Sequence, residues 1–362
     1  MNRLHIYLIL VILGSMACKN NSGQNSDFHK ILHIYFSGLF ENDGPGAAIL
    51  IAKGDEIIFS SAYGYADLNS KEPITTQTLF NLGSISKTFV AYGILILHKE
   101  NLLSIEDPLS YFFKDFKNPE IGEQVKIKHL LTHTSGLPDI RKVNEEHDFY
   151  LTARDAENWA PIMQSDALLF DPGTAYEYSN PAFNALALII EQVSGIKWQE
   201  FIVKKIFTPS GMNHSTITDG PHPESGVAHG YEKINDQWIE MDYGEVPTFA
   251  ASGNGGVWSS VAELTKYEYA IQNALFIDMG MIEASRTVQI PDNQWKSGKK
   301  AFIGWSWFIE KHSGMHAIRH TGTQGGFYSD YVYLPEKKIL YIVLANCIYP
   351  RQESFYKVLS LL

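Results

Sequence analysis

The chain has 362 residues, and 45% of them are hydrophobic, which is enough to bury a large core and argues against an intrinsically disordered protein. The formal net charge at pH 7 is −11, with scattered carboxylates in place of the basic surface that a nucleic-acid partner needs. We therefore expect one large domain or two lobes, with no nucleic-acid partner.

The first residues have the pattern of an export signal. A short apolar run at 8–13 is followed by small residues and then by Cys18. The run is too short to span a bilayer, and a cysteine after a small residue resembles the lipobox of bacterial lipoproteins, although Ser15 stands where that motif usually has Leu. We expect a signal peptide at 1–17, then a lipidated Cys18 and a flexible tether at 18–27. The protein would be exported and anchored to a membrane; a plain secretory peptide is the alternative.

Strand-like runs of apolar residues occur near both ends of the remaining chain. Residues 47–52 and 56–63 are separated by a Lys-Gly-Asp turn, which is typical of a hairpin. Four more short strands are predicted at 303–309, 315–320, 327–334 and 339–345. Because adjacent hairpins favour antiparallel pairing, we expect one antiparallel sheet built from both chain ends.

Between these regions the apolar residues take helical spacing. Helices are predicted at 88–100, 182–193, 198–206 and 261–273. The predicted fold class is therefore α+β, an antiparallel sheet flanked by helices with an inserted, mainly helical region. We assign residues 28–362 to one domain, with a sheet half at 28–80 and 301–362 and a helical half at 81–300.

Three short motifs carry the residue types of an acyl-transfer site. They are Ser84-x-x-Lys87, Tyr178-x-Asn180 and His320-Thr321-Gly322. Ser-x-x-Lys recurs elsewhere in the chain and is weak evidence alone, whereas Tyr-x-Asn occurs once among 19 tyrosines. The ordered combination predicts a serine hydrolase, because only a folded domain could bring such distant residues together.

Ser84 is the predicted nucleophile. A serine hydroxyl becomes reactive when a base takes its proton, and Lys87 would lie one helical turn away on the same face of a helix at 85–97. The start of that helix also supplies free backbone N–H groups and a partial positive charge. An N-cap serine followed by a solvated lysine is the alternative interpretation of this motif taken alone.

Tyr178 follows a turn-rich loop at 171–174. Beside Lys87 its phenol could lose a proton below the free pKa of ~10, accept the Ser84 proton and return it to the leaving group. The amide of Asn180 is suited to hold both Lys87 and a substrate carbonyl. A core tyrosine and a turn asparagine are the alternatives.

The third motif ends a predicted strand and supplies candidate substrate-binding residues, namely His320, Thr321 and Gly322. The glycines that follow permit close approach of the backbone to a ligand. The backbone N–H groups of Thr323 and Ser84 could form an oxyanion hole. A structural histidine at the end of a strand is the alternative for His320.

Other candidate sites are weaker. The pairs His129/His133 and His312/His316 have metal-like spacing, but the first lacks the Glu of a zinc protease and a glycine turn interrupts the second. We expect no metal and no cofactor. The charged segment 141–157 either overhangs the pocket or, as we prefer, is a solvated loop and helix face. Cys347 follows the last predicted strand, and we expect a buried, inert thiol with no disulfide partner once Cys18 is lipidated.

These motifs resemble the family of class C β-lactamases, penicillin-binding D-amino-acid peptidases and related esterases. The similarity covers about residues 28–350, including the stretches 127–138, 178–195, 252–264 and 304–346. The resemblance implies a site between a sheet half and a helical half. It also implies that Ser84 is acylated, that Lys87 and Tyr178 share the role of base, and that Asn180 positions the substrate.

One position departs from the class C β-lactamases, which carry Lys where this chain has His320. An imidazole with a pKa near ~6.5 is mostly neutral at pH 7, so a permanent cationic clamp is missing. If His320 had to be protonated to hold an anionic substrate, kcat/KM would fall as pH rises through its pKa.

The expected function is that of an exported serine hydrolase acting through an acyl-serine intermediate. Its substrate would be a small molecule or peptide with an ester or amide bond, including D-amino-acid-containing peptides. A β-lactamase and a non-catalytic, lipid-anchored protein that binds penicillin or cell-wall peptides are the alternatives. The oligomeric state is left open.

Overall fold

The computed structural model describes residues 22–141, 151–217, 226–241, 249–290, 292–296, 298, 300–312 and 314–362. The expected signal peptide and Cys18 lie outside these residues. The first helix begins at Ser22, inside the segment expected to be a flexible tether. Since helix propagation costs less than nucleation, the helix that buries Leu32 and Phe36 can extend into this polar segment.

The strands, in chain order, are β1 (Ala47–Lys53), β2 (Glu56–Tyr63), β3 (Tyr65–Asp67), β4 (Glu72–Pro73), β5 (Phe80–Asn81), β6 (Thr216–Ile217), β7 (Tyr231–Ile234), β8 (Gln237–Glu240), β9 (Val257–Ser259), β10 (Phe308–His312), β11 (Met315–Gln324), β12 (Phe327–Leu334) and β13 (Ile339–Ala345). The main sheet has six strands in the order β10-β11-β12-β13-β1-β2, and every neighbouring pair is antiparallel. Its strands come from both ends of the described chain.

The helices are α1 (Ser22–Ser37), α2 (Ser86–Lys99), α3 (Pro119–Gln124), α4 (Ile127–Leu131), α5 (Asp155–Met163), α6 (Asn180–Ser194), α7 (Trp198–Ile202), α8 (Thr208–Ser210), α9 (Val261–Gln272), α10 (Met279–Ser285) and α11 (Arg351–Leu359). The predicted helix at 198–206 is divided, because α7 gives way to a π-helical turn at Val203–Phe207. Among the described residues, no helix has the length and apolar character needed to cross a bilayer.

The α+β prediction is confirmed, and one strand prediction is displaced. The run predicted as a strand at 303–309 instead forms a tight turn before β10, closed by a hydrogen bond from the Gly304 N–H to the Trp307 carbonyl. A Cβ on Gly304 would lie 2.1 Å from the carbonyl oxygen of Ser285, so the backbone can approach the end of α10 only at a glycine. The apolar residues of this run are buried by that approach, which explains why they resemble a strand.

Strand β1 lies inside the sheet, so both of its faces are buried. Alternate residues point to opposite faces of a strand. Ala48, Leu50 and Ala52 join the larger core, which contains most of α2 and α6. Ala47, Ile49 and Ile51 join a smaller core formed with α1 and α11. The sheet thus separates α2, which packs on one face, from α1 and α11, which pack on the other.

Candidate active site

Ser84 lies in a short 3-10 turn, Gly83–Ile85, that leads directly into α2. The Nζ of Lys87 donates a hydrogen bond to Ser84 Oγ over 3.1 Å. Residues three apart share one face of a helix, so the spacing in the sequence translates directly into this contact.

Lys87 is completely buried, with 0% of its surface exposed, and the alternative of a solvated lysine is therefore wrong. Its Nζ also donates a hydrogen bond to the backbone carbonyl of Asn254, at 2.5 Å. Burial lowers the pKa of Lys87 well below its usual value of 10.5, and the positive charge of Arg141 lowers it further. Lys87 therefore has a larger neutral fraction at pH 7 than a free lysine, and a neutral amine can accept the Ser84 proton.

Tyr178 lies on the loop before α6, as its turn-rich neighbours predict. The Lys87 Nζ is 5.3 Å from the centroid of the Tyr178 ring and 5.8 Å from that of the Phe183 ring. The three side chains predicted to be catalytic, Ser84, Lys87 and Tyr178, therefore meet in one place.

Asn180 is the first residue of α6, and Ser179 caps this helix by accepting a hydrogen bond from the Ala182 N–H at 3.3 Å. We expected Asn180 to hold Lys87. In the described part of the chain, however, the acceptors of Lys87 Nζ are Ser84 and Asn254. Asn180 is half-buried beside Tyr178, where its amide stays a candidate substrate ligand.

Two glycines let the Ser84 turn approach β11. Gly83 has a φ of +51°, and a Cβ there would lie 2.9 Å from the backbone nitrogen of Thr323. A Cβ on Gly322 would lie 1.9 Å from the carbonyl oxygen of Leu82. Neither position has room for a side chain. The turn that carries Ser84 consequently comes close to β11 at Thr323, the approach that the predicted oxyanion hole requires.

His320 is buried in β11, where it and Thr321 pair with β12. Its Nδ1 donates a hydrogen bond to the Thr321 carbonyl at 2.8 Å. Burial lowers the pKa of His320 to about 3, and the nearby charge of Lys87 acts in the same direction. The imidazole is therefore neutral at physiological pH, so it supplies no cationic clamp.

Arg351 is a cation beside β11 that no sequence motif indicated. Its Nη2 atom, from the first residue of α11, donates hydrogen bonds to the Gly322 carbonyl and, at 3.0 Å, to Thr323 Oγ1. The guanidinium also lies 5.2 Å from the centroid of the Tyr328 ring. The expectation that position 320 supplies no permanent cation agrees with the neutral His320, and Arg351 places a cation beside Gly322 and Thr323 instead. No local motif marks Arg351, because the fold alone brings the C-terminal helix to β11.

The loop that supplies the Asn254 carbonyl was also missed. Ser252 Oγ donates a hydrogen bond to Asn254 Oδ1 at 2.6 Å, and the Gly253 N–H donates to Asp155 Oδ1 at 2.8 Å. Asp155 accepts two further hydrogen bonds, from Asn184 at 2.8 Å and from Trp198 at 2.9 Å. A buried carboxylate therefore ties this loop to α6 and α7. The Ser-Gly-Asn-Gly-Gly sequence at 252–256 was the available signal.

The preferred interpretation of 141–157 as a solvated loop and helix face is wrong for Arg141 and Asp155, whereas Arg154 and Glu157 are exposed, as that interpretation expects. The side chain of Arg141 is 2% exposed and forms an ion pair with Asp139 at 2.5 Å. It also donates a hydrogen bond to Asn158. Asp155 is buried. Residues 142–150, which the overhanging-loop alternative also concerns, lie outside the described residues.

The histidine pairs have separate partners. Helix α4 ends at Leu131, so His129 and His133 do not share a helix. The Nδ1 of His129 accepts a hydrogen bond from the Lys126 N–H, whereas His312 and His316 form hydrogen bonds with the carboxylates of Glu310 and Glu336, each at 2.8 Å. Within the described ranges, no group of three or more potential ligands is arranged to hold a metal ion.

Cys347 is a buried free cysteine at the end of the sheet. Burial raises the pKa of its thiol to about 12. The thiol is therefore protonated at physiological pH, which agrees with the inert cysteine expected from the sequence.

Comparison with known proteins gives a consistent relationship. A penicillin-binding protein of Bacillus subtilis is 28% identical to this chain, over 88% of the chain and 71% of that protein. A beta-lactamase of Escherichia coli is 25% identical, over 92% of the chain and 93% of that protein. The solved structure of a D-amino acid amidase from Ochrobactrum anthropi shares the fold, with a TM-score of 0.77 at 21% identity over 94% of this chain and 98% of that one.

The family model described as Beta-lactamase matches residues 34–358, which include all three motifs. The family match agrees with the convergence of Ser84, Lys87 and Tyr178 in the structure. The chain belongs to the beta-lactamase family of serine hydrolases, which act through an acyl-enzyme.

Proposed function

We propose that this chain hydrolyses a small carboxylic ester or an amide of a D-amino acid through an acyl-Ser84 intermediate. The observation that carries the proposal is the buried Lys87 amine, 3.1 Å from Ser84 Oγ and with a lowered pKa. A base in this position turns a weak nucleophile into a strong one.

In acylation, neutral Lys87 takes the Ser84 proton while Ser84 Oγ forms a bond to the substrate carbonyl carbon. The carbonyl oxygen becomes an oxyanion that accepts hydrogen bonds from the N–H groups of Ser84 and Thr323. When the intermediate collapses, the bond to the leaving alcohol or amine breaks. The leaving group takes a proton through Tyr178, whose ring lies 5.3 Å from Lys87 Nζ.

In deacylation, a water molecule attacks the acyl carbon and gives its proton to the Lys87–Tyr178 pair. The same N–H groups stabilise the second oxyanion. The bond between Ser84 Oγ and the acyl carbon then breaks, and Ser84 regains its proton. The free acid leaves and the initial state is restored.

The neutral His320 favours esters and amides over substrates that need a cation at that position. The O. anthropi relative with the same fold is named as a D-amino acid amidase, which supports a D-amino acid amide as one substrate class.

Hydrolysis of β-lactams is the second candidate, and Arg351 is the observation that favours it. Its guanidinium contacts Gly322 and Thr323. A guanidinium binds a carboxylate through two parallel hydrogen bonds, and β-lactams carry such a carboxylate. Replacement Arg351→Gln should raise KM for anionic substrates and leave KM for neutral esters nearly unchanged.

The test is phosphonylation of the purified full chain by a fluorophosphonate probe, in which the serine oxygen bonds to phosphorus and fluoride leaves, followed by intact mass measurement. One adduct is expected, and it should be lost in Ser84→Ala. The matched control is Ser194→Ala, because Ser194 begins another Ser-x-x-Lys sequence on the described chain. Retained labelling in Ser84→Ala would contradict the proposal.

Turnover is tested with nitrocefin, short p-nitrophenyl esters and D-alanyl peptides. We expect product release with at least one ester or D-amino acid amide. A stable adduct without product would favour the non-catalytic binding protein instead.

We also propose that the protein is exported and anchored through a lipid on Cys18, on the basis of the N-terminal sequence. Radiolabelled palmitate supplied to bacteria expressing the full chain should label the protein and bring it into the membrane fraction. Cys18→Ser should abolish the label, and a soluble, unlabelled wild type would contradict the anchor.

A further inference from the structure

His133 contacts the segment that carries Tyr178 at three points, yet it has no part in the steps above. Its Nδ1 accepts a hydrogen bond from the Ser179 N–H at 3.0 Å. Its backbone carbonyl accepts one from the Glu177 N–H, also at 3.0 Å. Its ring lies 4.3 Å from the Tyr178 ring, centroid to centroid, with an angle of 31° between the planes. Tyr178 is therefore held through both of its chain neighbours and through its own ring.

The contact with Ser179 fixes the tautomer of His133. A backbone N–H can only donate, so Nδ1 must be the unprotonated nitrogen and the neutral ring carries its proton on Nε2. The ring is 0% exposed, and burial lowers the pKa of His133 well below 6.5, with Lys87 and His320 adding to the effect. Within the described chain, Nε2 has no hydrogen-bond partner. The hydrogen bond from Ser179 thus persists throughout the physiological pH range.

The backbone at His133 is itself unusual. Its φ is +55°, in the left-handed region that residues other than glycine rarely adopt. The next residue, Thr134, accepts a hydrogen bond from the Gly173 N–H at 2.8 Å. Residues 133 and 134 therefore hold the Tyr178 loop at 173, 177 and 179. Such strained conformations persist where the surroundings impose them, often at functional sites.

We propose that His133 is a positioning residue that holds the phenol of Tyr178 against Lys87, through the Ser179 backbone and the adjacent His133 ring. This inference rests on the proposed function, because it matters only if Tyr178 carries a proton. Tyr178 lies on a loop and not inside a helix, so its place depends on contacts of this kind. A displacement of about 1 Å at such a site can cost on the order of 10²-fold in rate.

Two substitutions separate the contributions of the ring. His133→Phe keeps an aromatic face for Tyr178 but removes the acceptor for the Ser179 N–H. His133→Asn keeps an acceptor at the Nδ1 position, and Asn tolerates a positive φ better than most residues. The matched control is His129→Phe, because His129 also accepts a backbone N–H through Nδ1, from Lys126 at 3.1 Å.

The readout is the rate of Ser84 acylation and the steady-state kcat and KM on an ester substrate. We expect His133→Phe to lower kcat on the order of 10²-fold, with KM changed less than about threefold. His133→Asn should recover at least about tenfold of that loss, and His129→Phe should stay within about threefold of wild type. Equal losses in the two His133 variants, or an equal loss in His129→Phe, would overturn the proposal.

A second measurement does not depend on activity or on the folding of a variant. Nitrogen-15 NMR of the wild-type histidines should show His133 as the neutral Nε2–H tautomer from pH 5 to pH 9. An Nδ1–H tautomer, or titration within that range, would overturn the role of His133 even in an active enzyme. If Ser84 is never acylated while this tautomer is observed, the proposed function fails and the contact geometry stands.

Discussion

Lys87 donates a hydrogen bond to the backbone carbonyl of Asn254, and this bond joins α2 to a loop 167 residues further along the chain. The amine is thereby held from two sides, by Ser84 Oγ and by a carbonyl that cannot release a proton. The same loop is held by Asp155 through the Gly253 N–H. The geometry of the base is therefore set by tertiary contacts and not by the helix alone.

Replacement of Lys87 by Met should abolish most activity. Met has a similar length but no amine, so Ser84 loses its base and kcat/KM should fall on the order of 10³-fold. The control is Lys99→Met on the same helix, since Lys99 is 57% exposed and pairs with Asp278 on the surface. Comparison of kcat/KM on one ester substrate for the two variants gives the result. A loss of less than tenfold in Lys87→Met would mean that another group is the base.

The pH profile should follow Lys87 and not His320. Lys87 works as a base when neutral, so kcat/KM should rise with pH through its pKa, which lies below 10.5 because of burial and the charge of Arg141. His320, with a pKa of about 3, stays neutral and should give no inflection between pH 5.5 and pH 8.5. Profiles of wild type and His320→Asn should have the same shape. A fall in kcat/KM near pH 6.5 that disappears in the variant would restore the cationic role of His320.

Replacement of Gly322 by Ala should damage the oxyanion site. The new Cβ would meet the Leu82 carbonyl oxygen at 1.9 Å and Ser329 Oγ at 2.3 Å, so β11 must move away from the Ser84 turn. We expect kcat to fall on the order of 10²-fold, since one donor of the oxyanion hole is displaced. Gly38→Ala is the control, because its nearest contact would be an ordinary 3.4 Å. Equal kcat values in both variants would argue against an oxyanion role for β11.

Asp155 should make the fold less stable as pH rises. Burial raises the pKa of its carboxyl from 3.8 to about 7, and this outweighs the hydrogen bonds it accepts. The folded chain therefore holds the proton more tightly than the unfolded chain. The resulting stability is complete below pH 3.8 and is lost as pH rises towards 7.

Denaturant unfolding at pH 5 and pH 8 measures this effect. Wild type should lose on the order of 2 kcal/mol more free energy of unfolding between these pH values than Asp155→Asn, which has no carboxyl to titrate there. The comparison uses the pH dependence only, since the amide also changes the contact with Trp198. The same pH dependence in both proteins would show that Asp155 is not protonated in the fold.

The sequence by itself determined the local parts of this protein. Hairpins β1-β2 and β12-β13 follow from apolar, β-prone runs separated by turns, and the Ser84–Lys87 contact follows from the helical repeat. These features depend on neighbours in the chain, which a sequence shows directly. At Gly304 the local pattern predicted a strand, but the glycine instead lets the backbone turn and approach the end of α10.

Only the tertiary structure decided which distant groups complete the site. Three contacts depend on how separate elements pack: the Asn254 carbonyl with Lys87, Arg351 with β11, and His133 with the Tyr178 loop. None of these residues lies at a sequence distance from Ser84 that would have marked it. The burial that lowers the pKa of Lys87 and neutralises His320 is likewise a property of the assembled core, because desolvation exists only once the chain has folded around these groups.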